Sequence, residues 1–269
     1  AVLQAGIYSG EVYCDMEKKK VSIREYRETD VPVLTALWNE VFYDDIALIG
    51  RFFELLPKLG RGYVADVEGE IIGMAYVLNL FLEQQKFGYI YAVAVKEEYR
   101  SRSVGTALLT RCRKDTPKLC TFPATDSLYQ WYQSRLGMTY LSHCRYEKIP
   151  PKASEGAIKV LSASEYAARR SEYNPAVRYP IEWYEYQREL CRTYGGGMFA
   201  YGRAIACGYI ENGVLKISEC LGSADFIPML CSRLGADHAE IRRVSFEGNA
   251  YICSNSPISD TLDFGLALD

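Results

Sequence analysis

Residues 91–109 read YAVAVKEEYRSRSVGTALL, from Tyr91 to Leu109, and they decide how the rest of the chain is parsed. An apolar, β-branched run passes through a charged turn into a helix that begins on small residues. Arg100, Ser103 and Gly105 occupy the places that an R-x-x-G-x-G pattern gives to Arg, Gly and Gly. A helix start leaves its first amides without intrahelical partners, and the helix dipole adds partial positive charge there. A phosphate or pyrophosphate suits such a turn, because the small side chains of Ser101, Ser103 and Gly105 let it approach the backbone. Arg100 and Arg102 supply full charge beside it. The competing reading is an ordinary strand-to-helix turn with solvated arginines; the flanking strand and helix favour the anion cradle.

Working outward, Val21–Tyr26 alternates as a strand, and Thr29-Asp30 with Pro32 opens a helix carrying Val33, Leu34, Leu37, Trp38 and Val41 at helical spacing. The spacing predicts a second helix over 46–59. Strands follow at 62–66 and 70–82, joined at Glu68-Gly69, and then at 87–95. Beyond the anion turn come a helix over 106–114, a short strand at 119–122, an amphipathic helix at 126–136 and strand character over 137–149. Pro150-Pro151 and the Lys-Ala-Ser-Glu-Gly after it read as a linker.

The order β-α-α-β-β-β-α-β-α-β resembles the GNAT N-acetyltransferase superfamily over roughly residues 21–149. The 91–109 stretch is similar to the motif that cradles acetyl-CoA pyrophosphate in that family, with Ser103 where Gly is usual. YVADVEGEIIGMAY (63–76) resembles the central hairpin, and LYQWYQSRLGM (128–138) the late helix and turn. Tyr132 and Gly137 stand one residue further apart than the family spacing, which implies a bulged or reframed helix.

The resemblance implies an α/β (α+β) fold with a mixed, mostly antiparallel sheet flanked by helices. It implies an acetyl-CoA-dependent N-acetyltransferase acting on a small-molecule amine. The cofactor-binding residues carried over are Val93, Ala94, Val95, Arg100, Ser101, Arg102, Ser103, Val104, Gly105 and Thr106. The backbone near Val93 would meet the developing oxyanion, with Val93 and Val95 pairing to the pantetheine amides; the valine side chains themselves read as core. Tyr132 is the candidate acid for the departing thiolate, with Tyr129 one turn earlier as the substitute. Relatives carry a carboxylate base on the strand where this chain has Tyr89 and Tyr91, so the base stays unassigned; Glu83, Asp44 and Asp45 are carboxylates that a water chain could reach. The acceptor region implied is the first two helices and their loop, with Tyr43, Asp44, Asp45 and Glu83 as candidate substrate residues. An aromatic wall with carboxylates suits a cationic amine. A Cys144–His143 thiol nucleophile is rejected, because neighbours on a strand face opposite ways.

After the linker, the order partly recurs: a strand at 158–161, a helix capped by Ser164 and running to Arg170, and a helix over 180–194. A meander over 198–220 turns at Asn212-Gly213, a helix spans 224–234, and strands fall at 240–246, 250–253 and 262–268. At the place matching the anion turn stands Glu219-Cys-Leu-Gly-Ser-Ala-Asp225, without arginine or a second glycine. The second half is therefore expected to be a shortened, degenerate GNAT-like domain that does not bind acetyl-CoA. The expected division is an N-terminal extension at 1–20, the GNAT domain at 21–149, a linker at 150–157 and the second domain at 158–269.

Bulk composition narrows the classes. The 269 residues are 49% hydrophobic and 24% charged, as in a globular protein with a real core. Positive and negative charges balance through residue 150 and leave a net −3 after it, so nucleic acid is not an expected partner. That also weighs against an aminoacyl-tRNA-dependent transferase. Nine cysteines and two histidines show no metal spacing, so no metal is expected, and the scattered cysteines read as reduced, buried thiols of a cytoplasmic protein. No apolar run is long enough to span a membrane, and no signal peptide is legible. Met16, followed by Glu-Lys-Lys-Lys, has the look of the natural start, which would make residues 1–15 an addition ahead of it. Acceptor, acyl length and oligomeric state are left open. A non-catalytic acyl-CoA sensor of the same fold is the alternative to the enzyme.

Overall fold

The computed structural model describes residues 12–14, 19–259 and 262–268; the expected N-terminal extension and start site lie largely outside them. The first half contains β1 (Val12–Cys14), β2 (Lys19–Glu25), α1 (Val31–Phe42), α2 (Ile46–Leu59), β3 (Gly60–Val67), β4 (Glu70–Leu82) and β5 (Gln85–Val95). It continues with α3 (Val104–Asp115), β6 (Leu119–Thr121), α4 (Asp126–Leu136) and β7 (Tyr140–Ile149). The second half contains β8 (Lys159–Val160), α5 (Ala163–Tyr173), β9 (Val177–Arg178), α6 (Ile181–Thr193), β10 (Gly197–Tyr201), β11 (Ala204–Glu211) and β12 (Val214–Leu221). It closes with α7 (Ile227–Arg233), β13 (His238–Ser245) and β14 (Asn249–Ser254).

These strands make one continuous sheet, ordered β1-β2-β3-β4-β5-β6-β14-β7-β13-β12-β11-β10-β8, with β9 added against β4. Pairing is antiparallel except at β5–β6 and β12–β13. The order shows an exchange: β14, from the second half, lies between β6 and β7, and β7, from the first, lies between β14 and β13. One apolar cluster accordingly mixes residues of both halves, among them Trp38, Phe52, Tyr91, Trp183, Tyr186 and Leu266.

Both halves repeat one device. Between the pairs Met74↔Ala94 and Tyr76↔Tyr91, β5 spends one more residue than β4, a β-bulge with Ala92 at φ +46°. β12 likewise gains a residue against β11 between Ile217 and Glu219. In each half the bulged strand then parts from its parallel neighbour. The β5–β6 ladder holds only Gly88↔Leu119 and Tyr89↔Cys120, after which Thr121 Oγ1 donates to the Ile90 carbonyl at 2.9 Å. The β12–β13 ladder stops at Ile217↔Ile241.

Residues 262–268 depart from expectation. Their alternation predicts a strand, yet they form no ladder and run as an irregular segment through the core, with Phe264 and Leu266 fully buried. Side chains take the place of a neighbouring strand. Asn174 Nδ2 donates to the Asp263 carbonyl at 2.6 Å, Tyr179 Oη to Phe264 at 2.5 Å and Trp183 Nε1 to Leu266 at 3.0 Å. Arg242 Nη2 reaches the Gly265 and Ala267 carbonyls at 2.6 and 3.4 Å, and Tyr89 Oη donates to that of Leu268. Every carbonyl from 263 to 268 is thus satisfied, as burial demands.

Smaller corrections have local causes. Ser162, not Ser164, caps α5, because its Oγ accepts from Glu165 N while the Glu165 carboxylate takes the Ser162 amide, a reciprocal capping box. α7 is shorter than 224–234, since Pro228 fixes its first turn. The extra residue between Tyr132 and Gly137 causes no bulge; α4 runs regularly and Gly137 closes it at φ +66°. The eight cysteines whose side chains are described are buried, and none of them forms a disulfide. Among the described residues no helix is long and apolar enough to cross a membrane.

Candidate active site

The parting of β5 from β6 opens a cavity of about 640 Å³. Its outer end is the turn between β5 and α3. Ser101 and Ser103 both sit in the left-handed region, at φ +62° and +63°, so serine takes the conformation that glycine adopts without strain. Ser103 is the N-cap of α3, and its carbonyl takes the first helical bond, from Ala107 N at 2.9 Å. Among the described residues, the amides of Ser101, Ser103, Val104, Gly105 and Thr106 donate to no backbone carbonyl. These residues, with Tyr99 and Arg100, line the mouth.

Two close approaches aim that helix start. Gly73 lets α3 lie on β4, where an added Cβ would come within 3.0 Å of the Ala94 carbonyl and 3.3 Å of Leu108. Gly105 backs onto Trp131 of α4, whose ring would stand 3.1 Å from a Cβ at that position. Arg100 is braced by Nε donating to the Val95 carbonyl at 3.0 Å, and Arg102 lies over the Tyr99 ring at 5.9 Å.

Further in, the wall is the bulged edge of β5, where Ala92, Val93 and Val95 line the cavity while the Ala94 side chain is buried in the core. The bulge leaves Ala92 and Val93 without partners in the β4–β5 register, at the point where both line the opening. Tyr132 of α4 faces it, with only 7% of its surface exposed. Burial, then the Cys253 thiol, lifts its phenol above the ordinary range, while the Thr121 hydroxyl pulls slightly the other way. The phenol therefore keeps its proton and stays a hydrogen-bond donor at neutral pH. Tyr129 is half-buried and packs on the same cluster, but it does not line the cavity.

The inner end is aromatic, with Trp38, Phe42, Tyr91 and Phe122 around it and Leu268 of the C-terminal segment entering the wall. Of the four candidate acceptor residues, Asp44 lines the cavity. Trp38 Nε1 donates to Asp44 Oδ2 at 2.8 Å, and Tyr194 Oη, from beyond α6, donates to Oδ1 at 3.2 Å. Asp45 caps α2, accepting from the Ala47 and Leu48 amides at 2.9 and 3.1 Å. Tyr43 closes α1 at φ +60° with 85% of its surface exposed. Glu83 stands in the β4–β5 turn, where its amide donates to the Ala176 carbonyl at 2.8 Å. None of these three lines the cavity. Tyr91, where relatives were expected to carry a base, is buried; burial first, then Tyr186 and Asp44, hold its phenol well above the ordinary range. Sequence reasoning did not find Tyr194 or Leu268, since neither lies near the motif in the chain.

The matching gap in the second half is filled from within. Arg170 Nε pairs with Glu219 at 2.9 and 3.1 Å, Tyr166 Oη donates to the same carboxylate at 2.8 Å, and Gly265 packs against it.

Residues 23–141 match the family described as the acetyltransferase (GNAT) family. No curated protein matches the sequence. Solved structures match in fold. A candidate acetyltransferase from Pyrococcus horikoshii aligns over 98% of this chain and 95% of its own, with a TM-score of 0.65 at 14% identity. A protein of unknown function from Enterococcus faecalis V583, described as a probable N-acyltransferase, covers 87% of this chain and 71% of its own, with TM-score 0.61 at 13% identity. A GCN5-related N-acetyltransferase from Kribbella flavida gives 88%, 70% and 0.58 at 15% identity. The family match thus covers residues 23–141, and the fold is shared with these structures along most of the chain.

Proposed function

We propose that the protein is an acetyl-CoA-dependent N-acyltransferase of the cytoplasm that acylates a small-molecule amine by direct attack in a ternary complex. The observation carrying this reading is the row of amides at Ser101 and Ser103–Thr106 that, among the described residues, donate to no backbone carbonyl, on residues lining a cavity that leads to the β5 bulge. The diphosphate of acetyl-CoA rests on those amides with Arg100 and Arg102 beside it. The pantetheine lies along Val93, Ala94 and Val95.

A neutral amine nitrogen attacks the thioester carbonyl, and the new C–N bond forms while the oxyanion is met by backbone N–H near Val93. The C–S bond then breaks. The amine gives up one proton and the thiolate gains one, so amide and free CoA leave with no net proton change. Tyr132 donates a hydrogen bond to the sulfur as charge develops there. The acceptor occupies the aromatic end beside Asp44. The second half, its gap filled by Arg170, Glu219 and the 262–268 segment, binds no acyl-CoA and instead walls the acceptor end.

The test is thermal denaturation with acetyl-CoA, followed by thiol release with an amine panel. Acetyl-CoA is expected to raise the melting temperature, and Arg100→Ala or Arg102→Ala to shrink that rise. No shift with any acyl-CoA overturns the reading, and binding without thiol release on a broad panel overturns the catalytic part.

A further inference from the structure

Building on the transferase reading, we infer that the acceptor carries two amines and that Asp44 holds, as an ammonium, the one that does not react. Asp44 is half-buried in the cavity wall and oriented by two neutral donors, Trp38 Nε1 and Tyr194 Oη. An ionised carboxylate offers about four lone-pair sites. Among the described residues no lysine, arginine or histidine pairs with it. Its surroundings within the cavity are the rings of Trp38, Phe42 and Tyr91. A fixed carboxylate lacking a cation, set among aromatic faces, has the chemistry of an ammonium site.

That ammonium is not the nucleophile. Attack requires an unprotonated nitrogen, whereas a neighbouring carboxylate favours the protonated form. The geometry separates the two places. Asp44 and Val93 line one cavity together with Trp38, whose Nε1 bonds Asp44, and Tyr91, two residues before Val93; the Trp38 and Tyr91 rings are 5.5 Å apart between centroids. A reacting amine at the bulge and an ammonium at Asp44 are joined by an apolar spacer lying along those rings. The substrate class is therefore a diamine or polyamine with an alkyl spacer.

Tyr194 is a positioning residue in this arrangement. It comes from the second half, its ring lies tilted against that of Tyr209 with centroids 6.4 Å apart, and its hydroxyl also accepts from the Asp45 amide at 3.4 Å. The second half thereby fixes the carboxylate that selects the acceptor.

The test compares n-alkylamines with α,ω-diaminoalkanes of matched chain length, using acetyl-CoA as donor. Wild type is expected to favour the diamines in kcat/KM by roughly tenfold or more, the worth of one charge-assisted contact. Asp44→Asn is expected to erase that preference with the KM for acetyl-CoA unchanged. Tyr194→Phe is expected to erode it in part, through amine KM rather than kcat. Calorimetric titration of the diamine into the acetyl-CoA-bound protein reads the same site without turnover. Equal use of both series, a preference that survives Asp44→Asn, or diamine affinity indifferent to that change overturns the inference. Absence of acetyl-CoA binding would instead strike the transferase reading.

Discussion

Ser103 shows what a single side chain costs at the anion turn. A non-glycine residue in the left-handed region carries about 1 kcal/mol of strain, more when branched at Cβ. Ser103→Val is expected to lose about 1–2 kcal/mol in urea denaturation and to weaken acetyl-CoA binding. Ser103→Gly is expected to stay within about 1 kcal/mol of wild type, since the relief of strain is offset by greater freedom of the unfolded chain. Tyr132→Phe tests the sulfur-side donor: kcat is expected to fall about a hundredfold with acetyl-CoA affinity retained, read by steady-state kinetics. Asp30 supplies a pH signature. Arg24, bonding it at 2.6 and 3.1 Å, chiefly holds its carboxyl below the ordinary range, assisted by the Arg27 amide. A depressed folded value means that the stabilisation is complete above about pH 4 and is lost as the pH falls through the folded value. The melting-temperature gap between wild type and Asp30→Asn is therefore expected to be full at pH 7 and to close below about pH 4.

At the scale of elements, the β5 bulge and the 262–268 segment shape the cavity by opposite means, one by breaking a ladder and the other by doing without one. Tyr89 joins them, since its hydroxyl accepts from Phe122 N at 3.3 Å and donates to the Leu268 carbonyl. Tyr89→Phe leaves a buried carbonyl unsatisfied, so a loss of about 1–3 kcal/mol in chemical denaturation is expected, with Leu268 less firmly held in the cavity wall. Local signals made most elements legible. Apolar helical spacing gave α2 its bounds, and Glu68-Gly69 and Asn212-Gly213, all four at positive φ, gave their hairpins. The strand–turn–helix junction at 95–104 was readable because its residues are contiguous. The bulge was not, since an extra residue in an apolar strand leaves the alternation looking ordinary. The 262–268 segment misled for the same reason: alternating burial is common to a strand and to a segment tied down by side chains. Tyr194 reaches Asp44 across 150 positions, and nothing local announces such a contact.

For the whole molecule, the exchange of β7 and β14 makes the two halves one cooperative unit. A fragment of residues 21–149 lacks β14 between β6 and β7, and it lacks Trp183 and Tyr186, which pack on Tyr89 and on Phe52 and Tyr91. Such a fragment is expected to show no cooperative melt by circular dichroism, whereas the full chain melts in one transition. The Arg170–Glu219 pair makes the same point from the other side. It is buried, and burial raises the Glu219 carboxyl while Arg170 opposes that, so the pair survives only intact. Glu219→Gln is expected to cost about 3–5 kcal/mol by leaving the guanidinium uncompensated. The interlocked strands also carry a consequence for synthesis on the ribosome. β6 emerges early yet must wait for a partner translated far later, so the sheet around the cavity cannot be completed while the chain is still being made. A nascent polypeptide of this protein shows its surroundings an unfinished sheet edge, which is the condition under which chaperones bind.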